Sequence, residues 1–233
     1  MNNILFLDIE TIPGYPSFND CPEPVQALWS RKAENLKRSD GESPADIYIR
    51  AGIYAEFGRI ICISTGILTT EHGEPVLRIK SYYGDDEATL LESFARLLNS
   101  YFYKSESKLC AHNGKEFDFP YIARRMVING IRLPVLLDIA GKKPWEINHL
   151  DTMEMWKFGD FKSYTPLNLL AHVLGIPSPK DDIDGSQVWS VYWLEKDLER
   201  IVTYCEKDVH ALVNVYLRMK GYPVIPKDKV IKV

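Results

Sequence analysis

Phe6-Leu7-Asp8-Ile9-Glu10-Thr11 (FLDIET) closes a run that starts at Asn3-Ile4-Leu5, and it marks the centre of the fold. Long aliphatic, β-branched and aromatic side chains follow one another on both faces, the pattern of a central buried strand. Side chains at i and i+2 leave a strand on the same face. Asp8 and Glu10 therefore point the same way from the carboxyl end of that strand. Two carboxylates held side by side there repel each other and lose hydration unless cations neutralise them. Hard divalent cations such as Mg²⁺ or Mn²⁺ take carboxylate oxygens, so the pair reads as a metal site. The plainer reading is a strand end that emerges into solvent with two ordinary acids.

A chain of 233 residues has room for one large domain, or one domain with an insertion. At 45% hydrophobic and 26% charged residues it has the balance of a soluble globular enzyme. No apolar run approaches membrane-spanning length, and Met-Asn-Asn before a short strand is no signal peptide, so no membrane partner is expected. Cys21, Cys62, Cys110 and Cys205 are scattered, without a C-x-x-C pair. They read as buried reduced thiols of a cytoplasmic protein rather than as a zinc site. The net charge of −4 argues at first against a nucleic-acid partner. Setting aside four carboxylates of a metal site leaves 28 acidic against 28 basic residues. That balance suits a metal-dependent nuclease with modest non-specific affinity for a polyanion.

Outward from the first strand, Thr11-Ile12-Pro13-Gly14 breaks the extended run. Residues from about 14 to 57 read as an insertion, with one helix over Val25–Leu36 and a helical or irregular piece near Ala45–Ala55. Arg59–Leu68 and Pro75–Tyr83 read as strands joined by a turn at Gly73. Asp85–Tyr101 is an amphipathic helix, Lys108–His112 a short strand, Phe117–Asn129 a helix and His149–Met153 a last strand. Tyr164–Leu174 and Leu194–Lys220 close the domain as helices, and the tail from 223 to 233 reads as loosely docked. The spacing gives an α/β fold: a mixed sheet with a three-strand antiparallel meander plus parallel strands, and helices on both faces. The organisation expected is a single domain over 1–222.

Further acids sit at telling positions. Ile201, Tyr204, Cys205, Asp208 and Leu212 follow the spacing of a core-facing helical stripe, so Asp208 stands where a leucine is expected. An aspartate there must be paired, hydrogen-bonded or metal-bound, unless it lies half-exposed at the edge of the stripe. Asp118 follows the strand at Leu109-Cys110-Ala111 and opens the next helix. Its charge suits a helix N-terminus for structural reasons alone. Asn113, before a glycine, is at home in an ordinary turn.

Taken together, D-x-E on the first strand, N-x-x-x-F-D at Asn113–Asp118 and Y-x-x-x-D at Tyr204–Asp208 resemble the three exonuclease motifs of the DEDD superfamily. These are RNase H-like 3′–5′ exonucleases, and the motifs stand here in the family's order. The chain is most similar to the stand-alone proteins related to the proofreading exonuclease domain of family B DNA polymerases. The resemblance runs from residue 3 to about 219, interrupted at the insertion. The histidine subtype carries His five residues before the last aspartate, a position held here by Thr203. The tyrosine subtype carries Tyr four before it, which is Tyr204, whereas His210 faces elsewhere on the helix.

The resemblance implies that Asp8, Glu10, Asp118 and Asp208 hold two Mg²⁺ or Mn²⁺ ions. Asp8 would lie between the ions, Glu10 and Asp208 on the nucleophile side, and Asp118 on the other. Tyr204 is a weak base and would orient the attacking water. The reaction implied is release of nucleoside 5′-monophosphates from a 3′ end, most simply of single-stranded DNA. RNA is the alternative substrate, and a non-catalytic nucleic-acid-binding domain is the reading from a different class. By the same analogy Thr11 and Ile12 meet the terminal nucleotide while Asn113 and Phe117 line the strand's path. Their plainer roles are a strand end, a turn and a core aromatic. Lys180, in the acidic turn at 179–185, is a candidate phosphate contact within what is otherwise a solvated loop. Arg31, Lys32, Lys37 and Arg38 form a basic cluster whose simpler role is a solvated helix face. His149 and Asp151 read as a structural pair.

Overall fold

The computed structural model describes residues 3–36, 41–160, 163–177 and 182–233. Its strands are β1 (Ile4–Pro13), β2 (Gly58–Glu71), β3 (Glu74–Tyr83), β4 (Lys108–Ala111), β5 (Leu150–Asp151) and β6 (Val230–Lys232). They form one sheet in the order β5-β4-β1-β2-β3-β6. β1, β2 and β3 make the antiparallel meander, and β4 runs parallel to β1, β5 to β4 and β6 to β3. The mixed sheet with helices on both faces is thus the architecture that the spacing predicts.

The two faces of β1 have different partners. Leu5, Leu7 and Ile9 pack against α2 (Glu87–Tyr101) and α3 (Asp118–Ile128), chiefly through Leu91, Phe94, Phe119 and Ile122. On the opposite face Phe6 meets Val209, Leu212 and Tyr216 of α7 (Leu198–Met219), with the Phe6 and Tyr216 ring centroids 5.2 Å apart. Ile12, on that face too, packs with Ile201 and Tyr204 of α7. Between Phe6 and Ile12 the same row carries Asp8 and Glu10. Burying an aliphatic side chain at either position would contribute about 1.5–3 kcal/mol, which the two acids forgo.

β2 presents small residues beneath this row: Cys62, Ser64 and Gly66 stand opposite Glu10, Asp8 and Phe6. A Cβ at Gly66 would lie 2.8 Å from Val209 Cγ1, so the absent side chain lets α7 settle onto the sheet. Ile61 is the extra residue of a bulge opposite the Glu10/Thr11 step. Such bulges bend a strand and re-aim its side chains.

Several boundaries differ from the sequence reading. The tail is not loose. Its residues Val230–Lys232 add a parallel edge strand to β3, and Lys232 Nζ lies 2.5 Å from Glu206 Oε2. The alternating Val and Lys of the tail suit a strand with one face on the sheet and one in water. The helix expected over Tyr164–Leu174 begins only at Leu167, forming α5 (Leu167–Val173), because Pro166 supplies the extended residue that precedes it. The long final helix starts at Leu198 rather than Leu194. Lys196 adopts φ 58°, and Asp197 caps the new start by accepting from Arg200 N. Before this break, α6 (Val188–Ser190) runs into a π-helical turn over Val191–Glu195.

β5 is only two residues long, since Asp151 already caps α4 (Thr152–Lys157) through the N–H groups of Met153 and Glu154. His149 and Asp151 are structural, yet not a pair. His149 Nδ1 accepts from Leu109 N at 3.2 Å and its Nε2 donates to Leu136 O at 2.8 Å, while Asp151 serves other amides.

The segment between β1 and β2 carries α1 (Glu23–Glu34) and packs on its own aromatic centre. Trp29, fully buried, meets Tyr48 and Phe57 edge-on at 5.6 and 5.3 Å, and its Nε1 donates to Pro44 O at 2.8 Å. Gly14 N donates to Phe57 O at 2.8 Å where the segment leaves and rejoins the sheet. Among the described residues, no helix is long and apolar enough to cross a membrane.

Candidate active site

Four acids and a tyrosine reach one region from three elements. Asp8 and Glu10 come from β1, Asp118 from the first turn of α3, and Tyr204 and Asp208 from α7. The parallel ladder to β4 ends at the pair Phe6 and Cys110, so the edge of β1 beyond Phe6 is open on that side. Asp118 closes this gap by taking a backbone hydrogen bond from Ile9. Glu10, Asp118 and Asp208 are only 7%, 4% and 9% exposed, which is unusual for carboxylates and marks the region as dry.

The electrostatics record the crowding. Burial first, then the charges of Asp208, Glu10 and Asp118, push the Asp8 carboxyl well above the ordinary carboxylate range. Burial, with Asp151 and Asp208 nearby, pushes Asp118 up to about 7. Burial and the charges of Asp208, Glu10 and Asp8 raise the Tyr204 phenol far above its usual value, and it is hydrogen-bonded to Asp208 one turn away. In the cation-free protein Tyr204 is therefore a neutral phenol at pH 7.

Cys205 joins the same group. Its Sγ donates to Asp8 O and Asp8 Oδ2, both at 3.4 Å, and ligand atoms of Asp8, Glu10 and Cys205 lie within 4.8 Å of one another. Burial and the neighbouring Cys62 hold the thiol protonated. In the cation-free protein it supports Asp8 through these two contacts. The remaining donors are carboxylate oxygens, a set that fits hard divalent cations. The sequence had shown Cys205 only as part of a stripe. Its place one residue after Tyr204 was the available signal.

Asp151, read from the sequence only as half of a structural pair, is 2% exposed. Its Oδ1 accepts from Asn113 N at 3.0 Å and Met153 N at 2.9 Å, and its Oδ2 from Lys115 N at 3.1 Å. It thereby pins the loop that delivers Asp118. Asp before Thr-Met-Glu is an N-cap signal, which could have identified it.

The proposed substrate residues divide. Asn113 sits in the same loop at φ 64°, a left-handed conformation that asparagine tolerates, and its Oδ1 is buried without a partner. Gly114 follows because a Cβ there would lie 2.4 Å from Ala111 Cβ. Phe117 is half-buried against Tyr121, with centroids 5.3 Å apart, and Thr11 is hydrogen-bonded to the Tyr121 phenol. Ile12 does not fit a side-chain contact with substrate. It is 0% exposed and packs with Tyr204, because it continues the α7-facing row of β1. Lys180 lies outside the described residues, as do Lys37 and Arg38.

Sheet order and helix placement define an RNase H-like fold. The fold is shared with the family B DNA polymerase of the hyperthermophilic archaeon Pyrobaculum calidifontis, at 13% identity and a TM-score of 0.51 over 92% of this chain. The chain spans 24% of that polymerase's length. Weaker likenesses are the RNase domain of the yeast Pop2 protein, with 11% identity, 88% and 76% of the two chains covered and a TM-score of 0.40. A chain of the ExoI/SSB-Ct complex gives 12% identity, 86% and 43% of the two chains covered and a TM-score of 0.39.

The chain belongs to the family described as predicted 3′–5′ exonucleases related to the exonuclease domain of PolB, whose model matches residues 53–223. The family so described is one of hydrolases that act on phosphodiesters. The match begins after Asp8 and Glu10, and it is the pairing of β1 with β2 and β4 that sets those acids beside Asp118 and Asp208.

Proposed function

We propose that the protein removes nucleoside 5′-monophosphates one at a time from the 3′ end of single-stranded DNA, with two Mg²⁺ or Mn²⁺ ions as cofactors. One observation carries this reading: Asp8, Glu10, Asp118 and Asp208 crowd together in a dry region with a protonated Tyr204 among them. Divalent cations held by those four acids would neutralise them, polarise the scissile phosphoryl group and acidify the attacking water. The chain's own part is positional. Tyr204 donates a hydrogen bond and keeps the water in line, Cys205 fixes the Asp8 carboxylate through its thiol, and Asp151 holds the loop from which Asp118 projects. Asn113 and Phe117, on that loop, border the path of the strand, and Thr11 stands at the end of β1 where the terminal nucleotide would rest. The functional unit proposed is one domain, expected over residues 1–222 and extended by the β6 edge strand, with residues 14–57 inserted between β1 and β2. We assign it to the cytoplasm, a reading supported by four free, buried cysteines.

Incubating the protein with 5′-labelled single-stranded DNA and RNA in Mn²⁺ or EDTA tests the proposal. A ladder shortening from the 3′ end of DNA, lost in EDTA and in Asp8→Ala, is the expected result. A clear preference for RNA overturns the choice of substrate, and no ladder on either polymer overturns the activity.

A further inference from the structure

Arg59, Asp85, Tyr192, Trp193, Lys196 and Leu198 line a cavity of about 380 Å³ at the start of α7. Ten residues of helix separate Leu198 from Asp208, about 15 Å at the α-helical rise, so the cavity is distinct from the carboxylate cluster. Both lie on the α7 side of the sheet, and Tyr192, Ile201 and Tyr204 belong to one apolar cluster between them.

The cavity is positive in a chain of net charge −4. Its one acid, Asp85, is engaged in the wall: Oδ1 accepts from the Tyr192 hydroxyl at 2.5 Å, and that hydroxyl accepts from Arg59 Nη2 at 2.7 Å. Arg59 Nη1 donates to Asp85 O at 2.7 Å. Lys196 is exposed, and its Nζ stands 5.0 Å from the Trp193 ring centroid, with the Arg59 guanidinium 5.6 Å from the same centroid. Arg59 Nε and Trp193 Nε1 are buried N–H donors with no acceptor. Lys196 holds the left-handed φ of 58°, a strained conformation for lysine. The two unpartnered donors are sealed in the wall and Arg59 is committed to Asp85 and Tyr192, so Lys196 is the lining cation left to meet a ligand, and an exposed cation beside an indole ring suits an anion joined to a flat ring. The volume falls in the range of small-molecule pockets.

We propose that this cavity binds a nucleoside phosphate, with the phosphate at Lys196 and the base against Trp193. The ligand is either an internal nucleotide of the substrate strand, which rests on the exonuclease reading above, or a free mononucleotide. Both sources share the same chemistry.

Binding is measured in EDTA, without turnover, by calorimetry with 5′-dAMP and deoxyadenosine and by fluorescence anisotropy with a labelled oligodeoxynucleotide. Wild type, Lys196→Ala and Trp193→Leu are compared at matched melting temperature. Lys196→Ala should weaken binding about tenfold or more, a loss of the size a charge-assisted contact gives. Trp193→Leu should weaken nucleotide binding while leaving weak binding of inorganic phosphate in place. Loss on both 5′-dAMP and the oligonucleotide identifies a site open to free nucleotides, and loss on the oligonucleotide alone identifies a strand-binding subsite. Equal affinities of wild type and Lys196→Ala, or no binding by wild type, overturn the proposal. Deoxyadenosine binding as tightly as 5′-dAMP overturns the phosphate contact. These affinities are read without cleavage, so an absence of nuclease activity would refute the proposed function and still leave the cavity decided.

Discussion

Buried carboxylates occupy both faces of the sheet, and the two faces treat them in opposite ways. On the α2 side Glu87, 6% exposed, accepts at Oε1 from Ile60 N at 2.7 Å and Arg125 Nε at 2.9 Å, and at Oε2 from Asn129 Nδ2 at 3.1 Å and Arg125 Nη2 at 2.5 Å. Its charge is balanced by groups the chain supplies. Where the α7-facing row of β1 meets the first turn of α3, Asp8 and Asp118 have their carboxyls raised by burial and by neighbouring acids. A buried acid with a built-in counter-charge is part of the architecture. A group of acids that destabilise one another's ionised forms is a site for something the chain does not encode.

Breaking the contrast from the α7 side should give the largest effect. Asp8→Asn is expected to lower kcat by on the order of 10³-fold, the scale of losing a preorganised electrostatic group. It should also raise the melting temperature in EDTA at pH 8, since one repelling charge is gone. An inactive variant that is also less stable would place Asp8 in the same class as Glu87. The converse change, Glu87→Gln, leaves Arg125 buried with a weakened partner. Urea unfolding should show a loss of about 3–5 kcal/mol, with kcat per folded molecule retained.

Tyr204→Phe is milder. Loss of an orienting hydroxyl should reduce kcat about 10²-fold while calorimetric Mn²⁺ affinity stays close to wild type. A Mn²⁺ affinity that falls in step with kcat would show that the phenol acts on the cations rather than on the water.

The pH dependence sharpens the comparison further. Asp118 releases its proton near pH 7 when folded but near 3.8 when unfolded. The native state therefore holds a proton that the unfolded chain has already lost. The cation-free protein should lose stability as pH rises from about 4 to about 7. Melting curves in EDTA and in Mn²⁺ check this, since bound cations should flatten the decline. The smallest effect is expected far from both acids. Lys232→Ala removes a largely exposed partner of Glu206 and should cost less than about 0.5 kcal/mol by urea unfolding.

Much of the frame was legible because it depends on local rules. The all-apolar run of β1 and the i, i+2 alternation disclose two acids on one face, and helical spacing discloses Asp208 in a core stripe. Asp118 carried no such signal: as a first-turn acid it was unremarkable, and only its order with the other motifs singled it out. The short-range breaks were missed where one residue overrides a periodic pattern. Lys196 in the left-handed region divides an otherwise continuous helical stretch, and Pro166 delays α5. Long-range pairing was the least visible. Nothing in the local pattern of Val230–Lys232 names β3 as its partner, and nothing at Asp151 announces that it serves amides 36 to 38 residues earlier.

Gly66 shows how the chemistry is held to tolerance. It carries no polar side chain and touches no proposed ligand, yet at this point α7 bears on bare sheet backbone through the Val209 side chain. Mechanically it is a spacer of zero thickness, and any methyl group added there acts as a shim beneath the helix that carries Tyr204 and Asp208. The distance from Asp208 to Asp8 is thus gauged by a residue with nothing to contribute but its thinness. An alanine, the most conservative of substitutions, would there be a change to the carboxylate cluster itself.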